Sequence, residues 1–124
     1  MSDIPIQVSV KTHYIPEQSD PTDQRFVYAY TITIRNQSAD PAQLISRHWL
    51  ITNGDDSTQE VRGEGVVGEQ PHLAPGEEYT YTSGVVLETE FGTMEGSYQM
   101  RTANGDMFDA PVPAFALVPP HALH

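Results

Sequence analysis

Residues 25–36, RFVYAYTITIRN, put Phe26, Tyr28, Tyr30, Ile32 and Ile34 on one side of an extended chain and Val27, Ala29, Thr31, Thr33 and Arg35 on the other. A repeat of two is the signature of a strand with one face buried, and its β-branched and aromatic content suits a pleated surface. Residues 4–14, IPIQVSVKTHY, repeat the pattern, with Ile4, Ile6, Val8, Val10 and Tyr14 opposed to Gln7, Ser9, Lys11 and His13. No window carries apolar residues at helical spacing for three turns. The chain is therefore constrained to an all-β architecture.

Five further segments read as strands. PAQLISRHWLITN (41–53) is apolar on both faces from Leu44 to Ile51 and holds the only tryptophan, Trp49, so a place deep in the fold is expected, with Trp49 in the core. Asn53-Gly54 offers a hairpin turn into STQEVRGE (57–64), whose charges suit a sheet edge. EYTYTSGVVL (78–87), TMEGSYQMRT (93–102) and DMFDAPVPAFALV (106–118) complete a set of seven, with Asn104-Gly105 as a second hairpin signal. Seven short strands joined by turn residues predict an antiparallel two-sheet sandwich, immunoglobulin-like in its general form. One domain over 1–124 is expected, with its core at 4–118. EQSDPTDQ (17–24) reads as a mobile loop, residues 119–124 as a tail, and Asn36-Gln37-Ser38 as a turn.

Charge and composition exclude several function classes. With 6 Lys and Arg against 17 Asp and Glu, the net charge of −11 repels phosphate backbones, so no nucleic-acid partner is expected. The chain has no cysteine, which removes disulfides, thiolate zinc sites and cysteine nucleophiles. No segment is long enough to span a bilayer and the N-terminus lacks a signal-peptide pattern, so a cytoplasmic protein without membrane insertion is expected.

The segment VRGEGVVGEQP (61–71) contains Gly63, Gly65 and Gly68 at the Gly-x-Gly-x-x-Gly spacing of dinucleotide-binding folds. That motif works only between a strand and a helix N-terminus, and Pro71, Pro75 and Gly76 leave no room for a helix from Gly68. A weaker alternative is an anion-binding nest beside Arg62, opposed by Glu60, Glu64 and Glu69. Next comes LAPGEEY, with Leu73, the turn residues Pro75 and Gly76, and Tyr79. It resembles the leucine-and-tyrosine corner of fibronectin type III domains, in which leucine plugs the core and the tyrosine hydroxyl bonds back to upstream backbone.

The strings SRHW (46–49), EVRGEGVVGEQP (60–71), LAPGEEYTYTSG (73–84), GTMEGSYQM (92–100) and FDAPVPAF (108–115) together resemble the bacterial ApaG family, also called CorD, over nearly the whole chain. The resemblance implies a fibronectin type III-like sandwich with no established enzymatic activity, in a family linked to cobalt resistance and magnesium efflux and to protein recognition in eukaryotic relatives.

No catalytic constellation is legible: there is no nucleophile elbow, Ser83-Gly84 has no nearby histidine, and Glu77-Glu78 and Asp55-Asp56 fall in turns. No metal site and no cofactor are expected. His121 and His124 lie in the tail, NGDDSTQE lacks calcium-loop spacing, and only weak divalent cation binding fits the acidic surface. His48, between Arg47 and Trp49, is expected to be a hydrogen-bonded core residue. The resulting expectation is a non-catalytic binding module that presents Arg62, Gly63, Glu64, Gly65, Gly68 and Glu69, with the Asp109–Pro113 segment, to a protein partner. The competing expectation is a sensor of divalent cations or of a nucleotide polyphosphate through the 62–69 loop.

Overall fold

The computed structural model describes residues 5–120. Eight strands follow in order: β1 (Ile6–Tyr14), β2 (Phe26–Asn36), β3 (Ala42–Asn53), β4 (Thr58–Glu64), β5 (His72–Leu73), β6 (Glu78–Leu87), β7 (Gly92–Thr102) and β8 (Met107–Leu117). All pairings are antiparallel. One sheet runs β1-β2-β6 and the other β4-β3-β7-β8, with β5 beside the start of β3. This is the expected two-sheet sandwich of fibronectin type III or immunoglobulin type. The seven anticipated strands are all present, and the eighth is a two-residue pairing too short to leave a periodic signal.

The inner faces supply the core. Tyr28, Ile32 and Ile34 of β2 are fully buried, as are Leu44, Leu87, Tyr98, Met100 and Leu117 from the other strands. Trp49 is 2% exposed at the centre of an aromatic cluster, with Tyr30, Tyr98 and Phe115 set edge-on at centroid distances of 5.9–6.0 Å. Edge-on contacts bring ring edges of positive potential to π-faces, which adds to the area buried. Its indole Nε1 has no hydrogen-bond partner among the described residues, a desolvation cost carried by this packing.

The register of β3 slips between Leu44 and Ser46, a β-bulge at Ile45. Leu44 and Trp49 are therefore both buried although they are an odd number of residues apart. That slip explains why the segment is apolar on both faces in the sequence. It also leaves Ser46, His48, Leu50 and Thr52 on the outer face, so His48 is not a core residue. The expectation rested on the apolar character of both faces of the strand, whereas the bulge turns the even-numbered side chains after Ile45 outward.

Two turns differ from expectation. The β3–β4 hairpin turns over Asn53–Ser57, closed by the Asn53 N–H to the Ser57 carbonyl at 2.8 Å, and its positive φ falls on Asp56 (70°) rather than on Asn53 or Gly54. Residues 16–24 hold two 3₁₀ turns, Pro16–Gln18 and Pro21–Asp23, anchored by Ser19, whose hydroxyl donates to the Ile15 carbonyl and accepts from the Val27 N–H. A hydrogen-bonded corner thus replaces the expected loose loop. Ile4, His121 and His124 lie outside the described residues.

Candidate interaction surface

The glycine string lies where the sheet edge passes from β4 to β5. Both strands pair with the same side of β3, and residues 65–71 bridge the gap opposite the Ile45 bulge. The Ile45 carbonyl accepts from the Gly65 N–H at 2.8 Å and from Gln70 Nε2 at 2.9 Å. Val66 and Glu69 exchange both backbone hydrogen bonds, at 2.8 and 2.9 Å, around Val67 (φ 48°) and Gly68 (φ 80°). Two central residues at positive φ make this a type I′ turn. The segment is therefore a compact hairpin pinned by Val66, which is fully buried, and not the irregular connector that its composition suggests. No helix starts at Gly68.

Each glycine has its own cause. At Gly63, on β4, a Cβ would come within 2.8 Å of both terminal nitrogens of Arg47. The Arg47 guanidinium lies over that bare backbone and donates from Nη1 to the carbonyls of Glu64 (3.1 Å) and Gly65 (2.8 Å). At Gly65 (φ 65°) a Cβ would overlap the Glu69 carbonyl, whereas Gly68 faces open space and is needed for its dihedral alone. Nothing local to Arg47, the anchor of the loop, marks it in the sequence, since the carbonyls it holds lie seventeen and eighteen positions further on. An arginine in register with a glycine on the next strand is the signal that could have found it.

A shallow depression of about 530 Å³ on the larger sheet joins two sequence-predicted segments: Arg62 and Glu64 from β4 and Asp109 from β8, with Ser46, His48 and Gln99 between them. Asp109 belongs to the DAPVP stretch, and the strand order brings it to this depression across two intervening strands. Gly63 lines it as well, whereas Gly65, Gly68 and Glu69 lie in the hairpin beyond. Of the lining residues, His48 meets Glu60, which lies outside the depression, from Nε2 to Oε2 at 2.7 Å, and Arg62 Nη2 stands 3.5 Å from the same oxygen. The hydrogen bond from His48, the charge of His48 and then that of Arg62 hold the Glu60 carboxyl below its ordinary value. All three groups sit on the outer surface, where water screens them.

The corner at Leu73–Tyr79 is only partly as expected. Leu73 is buried at 2% exposure, and Gly76 takes a φ of 83° in the turn after Pro75. Tyr79 is half-buried against Tyr81, and its hydroxyl has no hydrogen bond to a described residue. The polar pin is Asn36 instead. Fully buried at the end of β2, Asn36 donates from Nδ2 to the carbonyls of Asp40 and Leu73, both at 2.9 Å, while its own carbonyl accepts from the Gly76 N–H at 2.7 Å.

Among the described residues no group of three His, Cys, Asp or Glu side chains could hold a metal ion, and no helix is long and apolar enough to cross a membrane. Asp55, expected in a solvated acidic turn, is exposed there and held below its ordinary pKa by the Ser57 hydroxyl and amide.

Fold and surface together define a fibronectin type III-like domain of the kind that binds through its faces and loops. The ApaG domain family model matches residues 16–102. The chain is 60% identical to the ApaG protein of Pseudomonas aeruginosa, with full coverage of both, and 57% identical to that of Azotobacter vinelandii, covering 96% of this chain and 94% of the relative. A crystal structure of a Bordetella pertussis protein assigned as ApaA superposes with a TM-score of 0.91 at 53% identity, covering 94% of this chain and 95% of that one. The chain belongs to the ApaG family.

Proposed function

We propose that this chain is a non-catalytic protein-binding module of the cytoplasm, whose contact surface is the outer face of the larger sheet at Arg62, Gly63 and Glu64 together with the hairpin at Gly65, Gly68 and Glu69. The supporting observation is the set of contacts that anchor that hairpin. Buried Val66, the double hydrogen bond to Glu69 and the Arg47 clamp fix it before any partner arrives, which lowers the ordering cost of association. Arg62, Glu64 and Asp109 then present charges of both signs around a shallow depression, an arrangement that orients a protein partner.

The same geometry weighs against a polyphosphate site. Three loop amides that a nest would need, those of Gly65, Val66 and Glu69, already donate to protein carbonyls. Under this reading the family's link to cobalt resistance and magnesium efflux operates through the partner, with any direct cation binding weak and diffuse.

Glu64→Ala/Glu69→Ala is expected to lose affinity for a partner captured by the wild-type chain while keeping the wild-type melting temperature. Unchanged affinity acquits the hairpin. Titration of isotope-labelled protein with Mg²⁺, Co²⁺ or a nucleoside triphosphate is expected to give only diffuse shifts that salt suppresses. Localised, saturable shifts at 62–69 would establish the sensor instead.

A further inference from the structure

Among the described residues the two sheets have five edge strands; β5 is only two residues long, and three of the others carry features that discourage another strand from adding. β4 bears Glu60, Arg62 and Glu64, β8 bears Pro111 and Pro113, and β1 bears Lys11 and His13. β6 is different. From Tyr79 to Leu87 its sequence, YTYTSGVVL, has no charge and no proline.

Backbone alternation shows which groups lie open. The Asn36 N–H donates to the Glu77 carbonyl, and the register then pairs Arg35 with Glu78 and Ile34 with Tyr79. In an antiparallel ladder successive residues point their N–H and C=O to opposite sides, so the odd-numbered residues of β6 bond to β2. Glu78, Thr80, Thr82, Gly84 and Val86 direct theirs to the free side, and all five are exposed. On the outer face Thr80 and Thr82 already hydrogen-bond across to Thr33 and Thr31, at 2.9 and 2.8 Å, a ladder that a further strand could continue.

Charge selects the occupant. The neutral run is bracketed by Glu77 and Glu78 on one side and Glu88 on the other. A second copy paired antiparallel along the whole strand, Ser83 against Ser83, would set Glu78 opposite Glu88 at both ends, between two molecules each of net charge −11. We propose that the free edge of β6 binds an extended peptide segment of a partner protein by strand addition, a segment with Lys or Arg at both ends and uncharged β-forming residues between them. Main-chain hydrogen bonds supply the attraction and the two acidic brackets set the register. This edge is separate from the hairpin and outer face discussed above, so the two surfaces can fail independently.

The test uses isotope-labelled full chain and the peptide Lys-Val-Thr-Val-Thr-Val-Thr-Val-Thr-Val-Lys, long enough to set its two lysines opposite Glu78 and Glu88 with threonines on the outer face, with a control carrying Glu at both ends. Saturable shifts and slowed amide exchange are expected at Thr80, Thr82, Gly84 and Val86, with the control binding about tenfold more weakly. Thr82→Pro removes one outward donor and the hydroxyl bond to Thr31 while sparing the backbone hydrogen bonds to β2, and is expected to abolish binding. Should that variant misfold, Glu78→Lys/Glu88→Lys carries the test, since these exposed changes are expected to reverse the preference between the two peptides. Glu64→Ala/Glu69→Ala is expected to bind the peptide as the wild type does. Equal affinity for both peptides, no saturation at millimolar concentration, or shifts centred on β4 would overturn the proposal. So would self-association that Thr82→Pro abolishes, which would assign the edge to a second copy.

Discussion

Tyr81 on β6 and Tyr98 on β7 face each other across the core, and their hydroxyls hydrogen-bond to one another between the two sheets. Tyr98 is fully buried and Tyr81 is 7% exposed. Removing one hydroxyl forfeits the bond and strands the other in an apolar setting, a loss of about 1–3 kcal/mol, whereas removing both leaves nothing unsatisfied and costs far less. Tyr81→Phe, which strands the fully buried Tyr98, should lie at the upper end of that range and Tyr98→Phe lower. For a chain of 124 residues the unfolding entropy is about 0.26 kcal/mol/K, so each kcal/mol moves the midpoint by about 4 °C. The single variants should melt about 4–12 °C below the wild type, and Tyr81→Phe/Tyr98→Phe above the lower of them. Calorimetry of all four proteins closes the cycle. A double variant whose loss equals the sum of the singles would refute the coupling.

Burial also raises the pKa of both hydroxyls above the ordinary tyrosine range, and it pushes Tyr28 up to about 12. The unfolded chain then gives up these protons first, so stability is intact below pH about 10 and declines as pH rises towards 12, by about 1.4 kcal/mol per pH unit for each of Tyr81 and Tyr98. Denaturant midpoints measured from pH 8 to 11.5 check this, and the double phenylalanine variant should show the shallower decline. Val67 holds a φ of 48° while 62% exposed, so Val67→Asn should relieve backbone strain and raise stability by about 1 kcal/mol in a urea titration. Asn36→Ala strands the carbonyls of Asp40 and Leu73 and should cost about 2–3 kcal/mol, with amide-exchange protection lost first around 36–40 and 73–77.

The strands were legible because each long one has an inner face to fill: Tyr28 through Ile34 could alternate only one way. The corner was half legible, since Leu73 and the Pro75-Gly76 turn announce themselves locally. The pin came from Asn36, thirty-seven positions before the Leu73 carbonyl that it bonds, and no local pattern marks such a pairing. Gly63, Gly65 and Gly68 were visible as a string, but their three separate causes differ in range: an arginine lies over Gly63 only once β4 meets β3, whereas a carbonyl in the way of Gly65 and a bare dihedral requirement at Gly68 arise inside the folded hairpin. Likewise, Asp109 joins Arg62 and Glu64 through strand order alone.

Ile45 acts as a phase-shifter in the third strand. Upstream of it even-numbered side chains enter the sandwich, and downstream odd-numbered ones do, so one extra residue decides that an indole fills the interior while an imidazole meets solvent. A chain lacking that residue would have to turn half of its central strand inside out or abandon Leu44, and the glycine hairpin docked on the Ile45 carbonyl would lose its mooring. The display surface and the packing of the interior are thus set by the same single residue.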